Sequence, residues 1–192
     1  MIRSTGFYDY VWSPVTGCLN DCWYCYGKTD FQRRGMSYAP EFHPEVLKEP
    51  FSMRASKIFV THYTDLMGDF IHTEWIEPIL GVCRSLPKHT FMFLSKSPRR
   101  YFEFDFPDNC MLGVTVESRD QWQRAEMIKE LKARKWISIE PIMGDFTGCD
   151  MSQFELVVIG KIFNHVSKIK REWVKSVVHP NIYYKETVRR YL

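Results

Sequence analysis

The stretch from residue 111 to residue 118, MLGVTVES, decides the fold, because it leads directly from a buried strand to the start of a helix. Its first six residues are almost continuously apolar, which is typical of a strand buried on both faces of a parallel sheet. Ser118 and Gln121 then fit a capping box, and apolar residues recur at every third position over 122–131. This region therefore predicts a strand followed by an amphipathic helix.

The same alternation recurs on both sides of this stretch. Short runs rich in apolar and β-branched residues are separated by longer amphipathic segments, one of which covers 73–86 and contains Pro78. This order predicts an α/β fold, with an open parallel sheet and outer helices. The predicted strands are 8–12, 58–61, 91–94, 111–116, 136–139 and 156–159, and a seventh extended segment covers 181–184.

The length of the chain limits the architecture. A closed eight-stranded barrel typically needs more than the 192 residues present, so a partial (β/α)6 barrel fits better. Because no linker, repeat or low-complexity tract interrupts the pattern, we expect a single domain over 1–192. In such folds the functional residues gather at the carboxyl ends of the strands.

Composition and charge predict a cytoplasmic protein. Hydrophobic residues make up 45% of the chain, which excludes a disordered class. The sequence has neither a signal-peptide pattern nor an apolar run long enough for a membrane span. A formal charge of +3 permits an anionic partner without requiring one. Six cysteines in a chain without an export signal argue against a disulfide framework.

Three of the cysteines stand close together in the segment CLNDCWYC, as Cys18, Cys22 and Cys25. A tetrahedral structural zinc site takes four protein ligands, whereas three thiolates on a 4Fe–4S cluster leave one iron open for another ligand. The spacing therefore indicates a metal centre with an open position. The residues leave a second interpretation open, a zinc site completed by a distant ligand such as His43 or Cys110.

Polar and charged residues stand at the carboxyl ends of the predicted strands. Charges that directly follow buried strands are rarely there for stability, so these residues are candidates for a functional site. Helix-terminal charges and solvated lysines are the alternative explanation for the same pattern. The candidates are Thr64 and Asp65 after the second strand, Lys96 after the third, Glu117 after the fourth and Glu140 after the fifth.

The cysteine segment resembles the radical S-adenosylmethionine (SAM) superfamily, whose signature is Cys-x3-Cys-x-aromatic-Cys. Cys18, Cys22, Tyr24 and Cys25 match it. The ordered segments WSPVTGC, CWYCY, THYTDLMGD, FMFLSKSP, LGVTVES and ISIEPIMG also resemble a phage-associated radical-SAM-like family of unknown function, over about residues 10–185. A more distant similarity is to the spore photoproduct lyase family.

This resemblance implies a partial barrel of the radical SAM type and the cofactors that go with it. Cys18, Cys22 and Cys25 would ligate three irons of a 4Fe–4S cluster, and SAM would chelate the fourth iron. The reduced cluster would cleave SAM, and the resulting 5′-deoxyadenosyl radical would abstract a hydrogen atom from the substrate. A flavodoxin- or ferredoxin-type electron donor is the implied partner.

The resemblance also implies roles for single residues around SAM. A lysine suits the methionine carboxylate and a carboxylate suits the ribose hydroxyls, because both pairs form strong hydrogen bonds. The implied contacts are Thr64 near the amine, Lys96 at the carboxylate, Thr115 or Glu117 at the ribose, Tyr24 at the adenine and Tyr26 near the adenosyl group. Asp65 is a further candidate for cofactor binding.

The candidate catalytic residues are Glu117, Glu140 and His62. His62 stands where the lyase family keeps a hydrogen-donating cysteine, and an imidazole cannot donate a hydrogen atom as a thiol does. Thymine-dimer repair by the same path is therefore disfavoured. The sixth strand leads into IGKIFNH, where Lys161 replaces a glycine of the phage-associated family's turn.

Together these features predict a radical SAM lyase or isomerase that acts on a nucleic-acid base or nucleotide, in phage-type DNA modification or repair within the bacterial host cytoplasm. Basic and aromatic residues cluster at 31–34, 96–101 and 185–191, which suits phosphate contact and base stacking. Two alternatives remain open. One is a radical SAM isomerase or lyase for a small molecule, and the other is a non-catalytic zinc or iron–sulfur module that binds nucleic acid.

Overall fold

The computed structural model describes residues 2–3, 6–161 and 169–192. Within them, eight strands form one open, curled sheet, in which every neighbouring pair is parallel except the first. Its strands, in spatial order, are β1 (Ile2–Arg3), β2 (Tyr10–Trp12), β5 (Lys57–Val60), β6 (Thr90–Ser95), β7 (Cys110–Thr115), β8 (Arg134–Ile139), β9 (Leu156–Ile159) and β10 (Ile182–Tyr184), while β3 (Val15–Thr16) and β4 (Glu41–Phe42) form a separate antiparallel pair.

The predicted α/β fold with a partial barrel is confirmed, with one more strand in the parallel sheet than expected. All six predicted strands form, and their ends differ from the prediction by no more than two residues. The seventh extended segment is the strand β10, which pairs in parallel with β9. Seven parallel strands therefore make an open half-barrel.

Two predicted helices are present, and the second is shorter than expected. Residues 73–85 form a helix that contains Pro78 beyond its first turn. The capping box of Ser118 and Gln121 is confirmed, although it begins a single 3-10 turn and the following helix ends before Leu131. No helix in the described part of the chain is long and apolar enough to span a membrane. The helices are α1 (Tyr26–Arg33), α2 (Thr73–Ser85), α3 (Gln123–Lys129), α4 (Arg171–Lys175) and α5 (Glu186–Arg189), with 3-10 helices at Pro44–Ser52, Pro98–Glu103 and Arg119–Gln121.

The hydrophobic core has two layers, one on each face of the sheet. Because successive side chains of a strand point to opposite faces, each buried strand contributes to both layers. The larger layer lies under the helices and includes Ile58, Phe91 and Ile137. The smaller layer fills the concave face of the half-barrel and consists of Phe59, Met92, Met111, Trp136 and Val158.

The concave layer is closed by Trp136 and by the segment that precedes β2. The indole nitrogen of Trp136 donates to the carbonyl of Phe93 at 2.9 Å. Its ring lies so close to Gly113 that a Cβ there would come within 2.3 Å of it. Phe7 packs against this layer, with its ring centroid 5.4 Å from those of Trp136 and Tyr183. The lower part of the half-barrel is therefore filled with apolar side chains, and space remains at the carboxyl ends of the strands.

Candidate functional site

A cavity of about 470 Å³ lies at the carboxyl ends of the parallel strands. Its volume falls in the range of small-molecule and cofactor sites. The cysteine segment forms one side of it, and strand ends from β5 to β10 form the rest. Of the site residues predicted from the sequence, only Glu117 does not line this cavity. The residues that line it are Cys18, Cys22, Tyr24, Cys25, Tyr26, His62, Thr64, Asp65, Lys96, Thr115 and Glu140.

Backbone hydrogen bonds shape the cysteine segment into a turn that leads into α1. The amide of Cys18 donates to the carbonyl of Tyr38 at 3.1 Å, which ties the start of the segment to the neighbouring loop. The amide of Cys25 donates to the carbonyl of Cys22 at 2.9 Å. Cys25 is also the N-cap of α1, since its sulfur accepts from the amide of Lys28 at 3.4 Å. The thiol of Cys25 and the backbone of Cys22 are thus fixed relative to the start of α1.

The three thiols face one cavity without forming a closed metal site. Among the residues that the structure describes, no three His, Cys, Asp or Glu side chains are grouped so that they could hold a metal ion. Burial raises the pKa of both Cys18 and Cys22. A bound metal has the opposite effect and favours the thiolate, the form that ligates iron. Three thiols that line one cavity are the type of donor that iron–sulfur clusters take, although their spacing in this structure does not form a ligand group.

The proposed fourth ligands of a zinc site lie elsewhere. Nε2 of His43 is 2.8 Å from the hydroxyl of Thr16. Cys110 is 1% exposed and lies in the core beside Cys83. Neither residue lines the cavity of the three cysteines.

Thr64 and Asp65 are engaged with the cysteine segment. The hydroxyl of Thr64 donates to the carbonyl of Gly17. One carboxylate oxygen of Asp65 accepts from the side-chain amide of Asn20 at 2.9 Å and from the backbone amide of Lys96 at 2.8 Å. Asp65 thereby joins the cysteine segment to the end of β6. The sequence prediction did not include Asn20 or this connection.

Glu117 does not line the cavity, although it contacts two residues that do. The hydroxyl of Tyr24 donates to Oε1 of Glu117, and Nζ of Lys96 lies 3.8 Å from the same oxygen. Nη1 of Arg124 donates to Oε2 at 2.9 Å and to the carbonyl of Thr115 at 3.1 Å. The carboxylate is therefore a buried centre that holds Tyr24, Lys96 and Arg124 together. Arg124 carries no sequence signal of its own, since it lies within an amphipathic helix.

Burial and hydrogen bonding keep Tyr24 protonated. Its pKa is raised strongly, first because the phenol is buried and then because the phenol donates to the carboxylate of Glu117. Nζ of Lys96 lies 5.7 Å from the centroid of the Tyr24 ring, within the range of a cation–π contact. The two side chains thus form one wall of the cavity.

Tyr26 and His62 form a second pair at the cavity. The hydroxyl of Tyr26 lies 2.7 Å from Nε2 and 2.9 Å from Nδ1 of His62. Burial, with a smaller contribution from the charge of Lys185, lowers the pKa of His62 to about 4. The imidazole is therefore neutral at pH 7 and shares a hydrogen bond with the hydroxyl of Tyr26.

Lys185 completes the opposite side of the cavity, as the ion-pair partner of Glu140. The sequence analysis assigned Lys185 to a basic cluster and not to the site. A signal was available, because Lys185 directly follows the seventh extended segment, as Glu140 follows the fifth predicted strand. Lys161 and Thr187 line the same side, and residues 162–165 of the IGKIFNH turn lie outside the described residues.

The basic and aromatic clusters at 31–34 and 96–101 are only partly exposed. Arg100 is 7% exposed and donates to the carbonyls of Gly68 and Ile71 at 2.5 and 3.1 Å. Tyr101 is 1% exposed and donates to a backbone carbonyl of β7, and Phe31 is also buried. Phe31, Arg100 and Tyr101 are thus part of the protein interior and are not available to contact a nucleic acid.

A half-barrel of parallel strands with the cysteine segment at its carboxyl-end cavity places the fold in the class of partial radical SAM barrels. Residues 4–182 match the profile of the family described as "Protein of unknown function (DUF5131)", and the chain belongs to this family. A sequence search of curated proteins finds no significant match.

Solved structures of spore photoproduct lyase share the fold. A double mutant with bound AdoMet and dinucleoside spore photoproduct aligns with a TM-score of 0.64 and 11% identity, covering 84% of this chain and 58% of that chain. A cysteine-to-serine mutant aligns with a TM-score of 0.57 and 12% identity, over 72% of this chain and 47% of that chain. This chain spans less than two thirds of the length of these lyases, and at such identities the likeness concerns the fold.

Proposed function

We propose that this protein is a radical SAM enzyme that acts on a nucleic-acid base or nucleotide. The observation that carries the proposal is the convergence of Cys18, Cys22 and Cys25 on the cavity that Lys96 and Thr115 also line. The three cysteines would hold a 4Fe–4S cluster, with SAM as the ligand of the remaining iron. When bound and reduced, the cluster supplies the electron that cleaves SAM to a 5′-deoxyadenosyl radical.

The residues of one wall bind and orient SAM. Lys96 pairs with the methionine carboxylate, because its ammonium is partly exposed to the cavity and ammonium–carboxylate pairs are charge-assisted. Thr115 contacts the ribose through its hydroxyl, and the ring of Tyr24 lies against the adenine. Glu117 does not contact the ribose directly. It positions Tyr24 and Lys96, which line the cavity, through its contacts with both side chains.

Thr64 and Asp65 have a positioning role beside the cysteines. Their hydrogen bonds to Gly17, Asn20 and the backbone of Lys96 keep the cysteine segment at a fixed place relative to β6. An iron–sulfur cluster needs ligands that are held at fixed positions, so these contacts support the proposed cofactor.

Tyr26 and His62 handle protons at the substrate side of the cavity. Neutral His62 shares a hydrogen bond with the hydroxyl of Tyr26, and this pair stands where the lyase family has a thiol. Hydrogen-atom return through a thiol at this position is therefore not part of the proposed reaction. Glu140 remains a candidate for direct contact with the substrate.

The setting of the reaction follows from the same proposal. A flavodoxin- or ferredoxin-type protein of the bacterial host delivers the electron, and the enzyme works in the host cytoplasm, in phage-type modification or repair of DNA. The chain acts as a single domain.

A second candidate is a radical SAM isomerase or lyase for a small molecule, which the limited volume of the cavity favours. Metal analysis combined with SAM cleavage tests both enzyme candidates against a binding module. We expect about four irons and four sulfides per chain after anaerobic reconstitution. One zinc per chain, with no cleavage of SAM under dithionite, would contradict both enzymes. Faster cleavage with an oligonucleotide or nucleosides than without them supports the nucleic-acid substrate.

A further inference from the structure

The ends of the last three strands carry one charged pair with a glycine between its members. Glu140, Gly160 and Lys185 each directly follow the last paired residue of β8, β9 and β10. They therefore lie at the same level on the sheet, on the side of the cavity formed by β8–β10.

Gly160 makes room for the carboxylate of Glu140. A Cβ at position 160 would come within 2.6 Å of Oε1 of Glu140 and 2.7 Å of its Cδ. The side chain of Glu140 thus lies over the backbone of β9 and reaches the ammonium of Lys185 on the next strand. The local backbone is built so that this pair can form at the cavity.

Stability alone does not account for the pair. The side chains of Glu140 and Lys185 are 29% and 34% exposed, and ion pairs with that much access to solvent add little to folding. A comparable pair, Arg134 with Glu155, has side chains that are 42% and 45% exposed and lies outside the cavity at the other end of β8. What distinguishes the first pair is its position in the lining.

Flat apolar surfaces border the charged pair. Nζ of Lys185 lies 6.0 Å from the centroid of the Phe7 ring, and Phe7 packs at 4.8 Å against Tyr8. Phe7, Tyr8 and Trp136 all line the cavity. Aromatic walls of this kind favour planar ligands, because ring faces stack on them.

We propose that Glu140 and Lys185 form the substrate subsite and bind the edge of a planar heterocycle that offers a hydrogen-bond donor beside an acceptor. A carboxylate only accepts and an ammonium only donates, so together they complement the N–H and C=O groups of a nucleobase edge. A free phosphate would meet the negative charge of Glu140. This inference deepens the proposed function and rests on it for the reaction, whereas binding itself needs no reductant.

Titration calorimetry with uridine tests the subsite. The full chain is titrated both as purified and after anaerobic reconstitution with SAM, without reductant, so that no turnover occurs. Uridine should bind at least about tenfold more tightly than 3-methyluridine, which lacks the donor, because a lost charge-assisted hydrogen bond is worth about that factor. Inorganic phosphate should not compete.

Variants separate recognition from a structural role. Glu140→Ala and Lys185→Met should each weaken uridine binding about tenfold or more, while Glu155→Ala leaves it unchanged. The double variant Glu140→Leu with Lys185→Met replaces the pair by apolar side chains of similar size, so it should change the free energy of unfolding little, yet it should lose uridine.

Three results would overturn the subsite: no uridine binding in either form, equal binding of 3-methyluridine, or full binding by the double variant. Failure of the proposed function is a separate result, because it appears as absent SAM cleavage whether or not uridine binds.

Discussion

The hydroxyl of Tyr24 donates a hydrogen bond to the carboxylate of Glu117, which is 4% exposed. Tyr24 belongs to the cysteine segment, and Glu117 follows β7 on the other side of the cavity wall. One hydrogen bond thus connects the proposed cluster ligands to the residues that line the SAM side. Because Glu117 is also paired with Arg124, its position is fixed before any ligand binds.

The Tyr24 contact predicts a defect in SAM binding when the hydroxyl is removed. In Tyr24→Phe the aromatic ring stays, but Glu117 loses a donor and the ring loses its anchor. We expect the KM for SAM to rise about tenfold, as for one hydrogen bond to a charged group. Tyr184→Phe, on β10 and outside the cavity lining, is the matched control. An unchanged KM in Tyr24→Phe would show that the hydroxyl does not orient the ring.

Arg124 is expected to matter for stability because it neutralises a buried carboxylate. Arg124→Met leaves Glu117 with the hydrogen bond from Tyr24 and with Lys96, whose ammonium is 3.8 Å away, as the remaining positive charge. The free energy of unfolding should fall by about 2–4 kcal/mol in urea denaturation, since removing one partner of a buried pair strands a charge. Arg134→Met, which breaks an exposed pair, should cost no more than about 1 kcal/mol. Adding Glu117→Gln to Arg124→Met should recover part of the loss, and purely additive effects would contradict the coupling.

Asp65 should control how well the cysteine segment holds iron. In Asp65→Asn the single amide oxygen can accept either from Asn20 and Lys96 or from the backbone amide of Met67, but not from both sides, because the other terminal group of the side chain is a donor. We expect less iron per chain after reconstitution and a loss of about 1–3 kcal/mol in unfolding free energy. Asp69→Asn changes an exposed aspartate four residues away and serves as the control. Equal iron content in both variants would remove Asp65 from the positioning role.

The lowered pKa of His62 predicts that stability falls in mild acid. The pKa of His62 is about 4 in the folded protein against 6.5 for an ordinary histidine, so between these values the unfolded chain binds more protons. Stability therefore decreases as the pH falls from about 6.5 to 4, by at most about 3 kcal/mol from this group. His89, whose pKa is also lowered by burial, acts in the same direction.

The contribution of His62 is isolated by comparing His62→Gln with the unchanged protein in urea denaturation at pH 7 and pH 5. The variant should lose less stability between the two pH values, because glutamine does not titrate. An identical loss in both proteins would mean that His62 is not held neutral by burial.

The contact of Trp136 with Gly113 predicts a strong effect of one methyl group. In Gly113→Ala the new Cβ would meet the indole ring at 2.3 Å, so the ring must move and its hydrogen bond to Phe93 weakens. We expect a loss of about 1–3 kcal/mol, as for overpacking a core. Gly81→Ala is the control, since no atom lies within 4 Å of that Cβ and an alanine favours the helix by about 1 kcal/mol. If both variants unfold alike, the concave layer is less tightly packed than described.

The strands of the half-barrel could be predicted from the sequence because they are buried on both faces. Each run, such as 111–116, is apolar almost throughout, and this pattern can be recognised without knowing which strands are its neighbours in the sheet. Because the strands were recognised, Lys96 and Glu140 could be predicted at the cavity, which lies at the carboxyl ends of parallel strands. The length of α3 was overestimated, because the apolar spacing continues to Leu131 although the helix ends at Lys129.

Contacts between distant parts of the chain could not be predicted in the same way. Arg124 and Asn20 owe their roles to partners 7 and 45 residues away, and nothing in their own segments marks them. Arg100 and Tyr101 show the opposite case, in which a basic and aromatic sequence pattern belongs to the core. Local sequence patterns predict whether a helix or strand is buried, whereas the pairing of polar side chains depends on the tertiary structure.

The most direct test of the central claim is the formation of 5′-deoxyadenosine from SAM by the anaerobically reconstituted protein with dithionite. The account predicts that the unchanged protein and Cys149→Ala, a cysteine outside the cavity, form it, and that Cys18→Ala, Cys22→Ala and Cys25→Ala do not. The absence of 5′-deoxyadenosine from the iron-loaded protein, or its formation by any of the three cysteine variants at the rate of Cys149→Ala, would contradict the account.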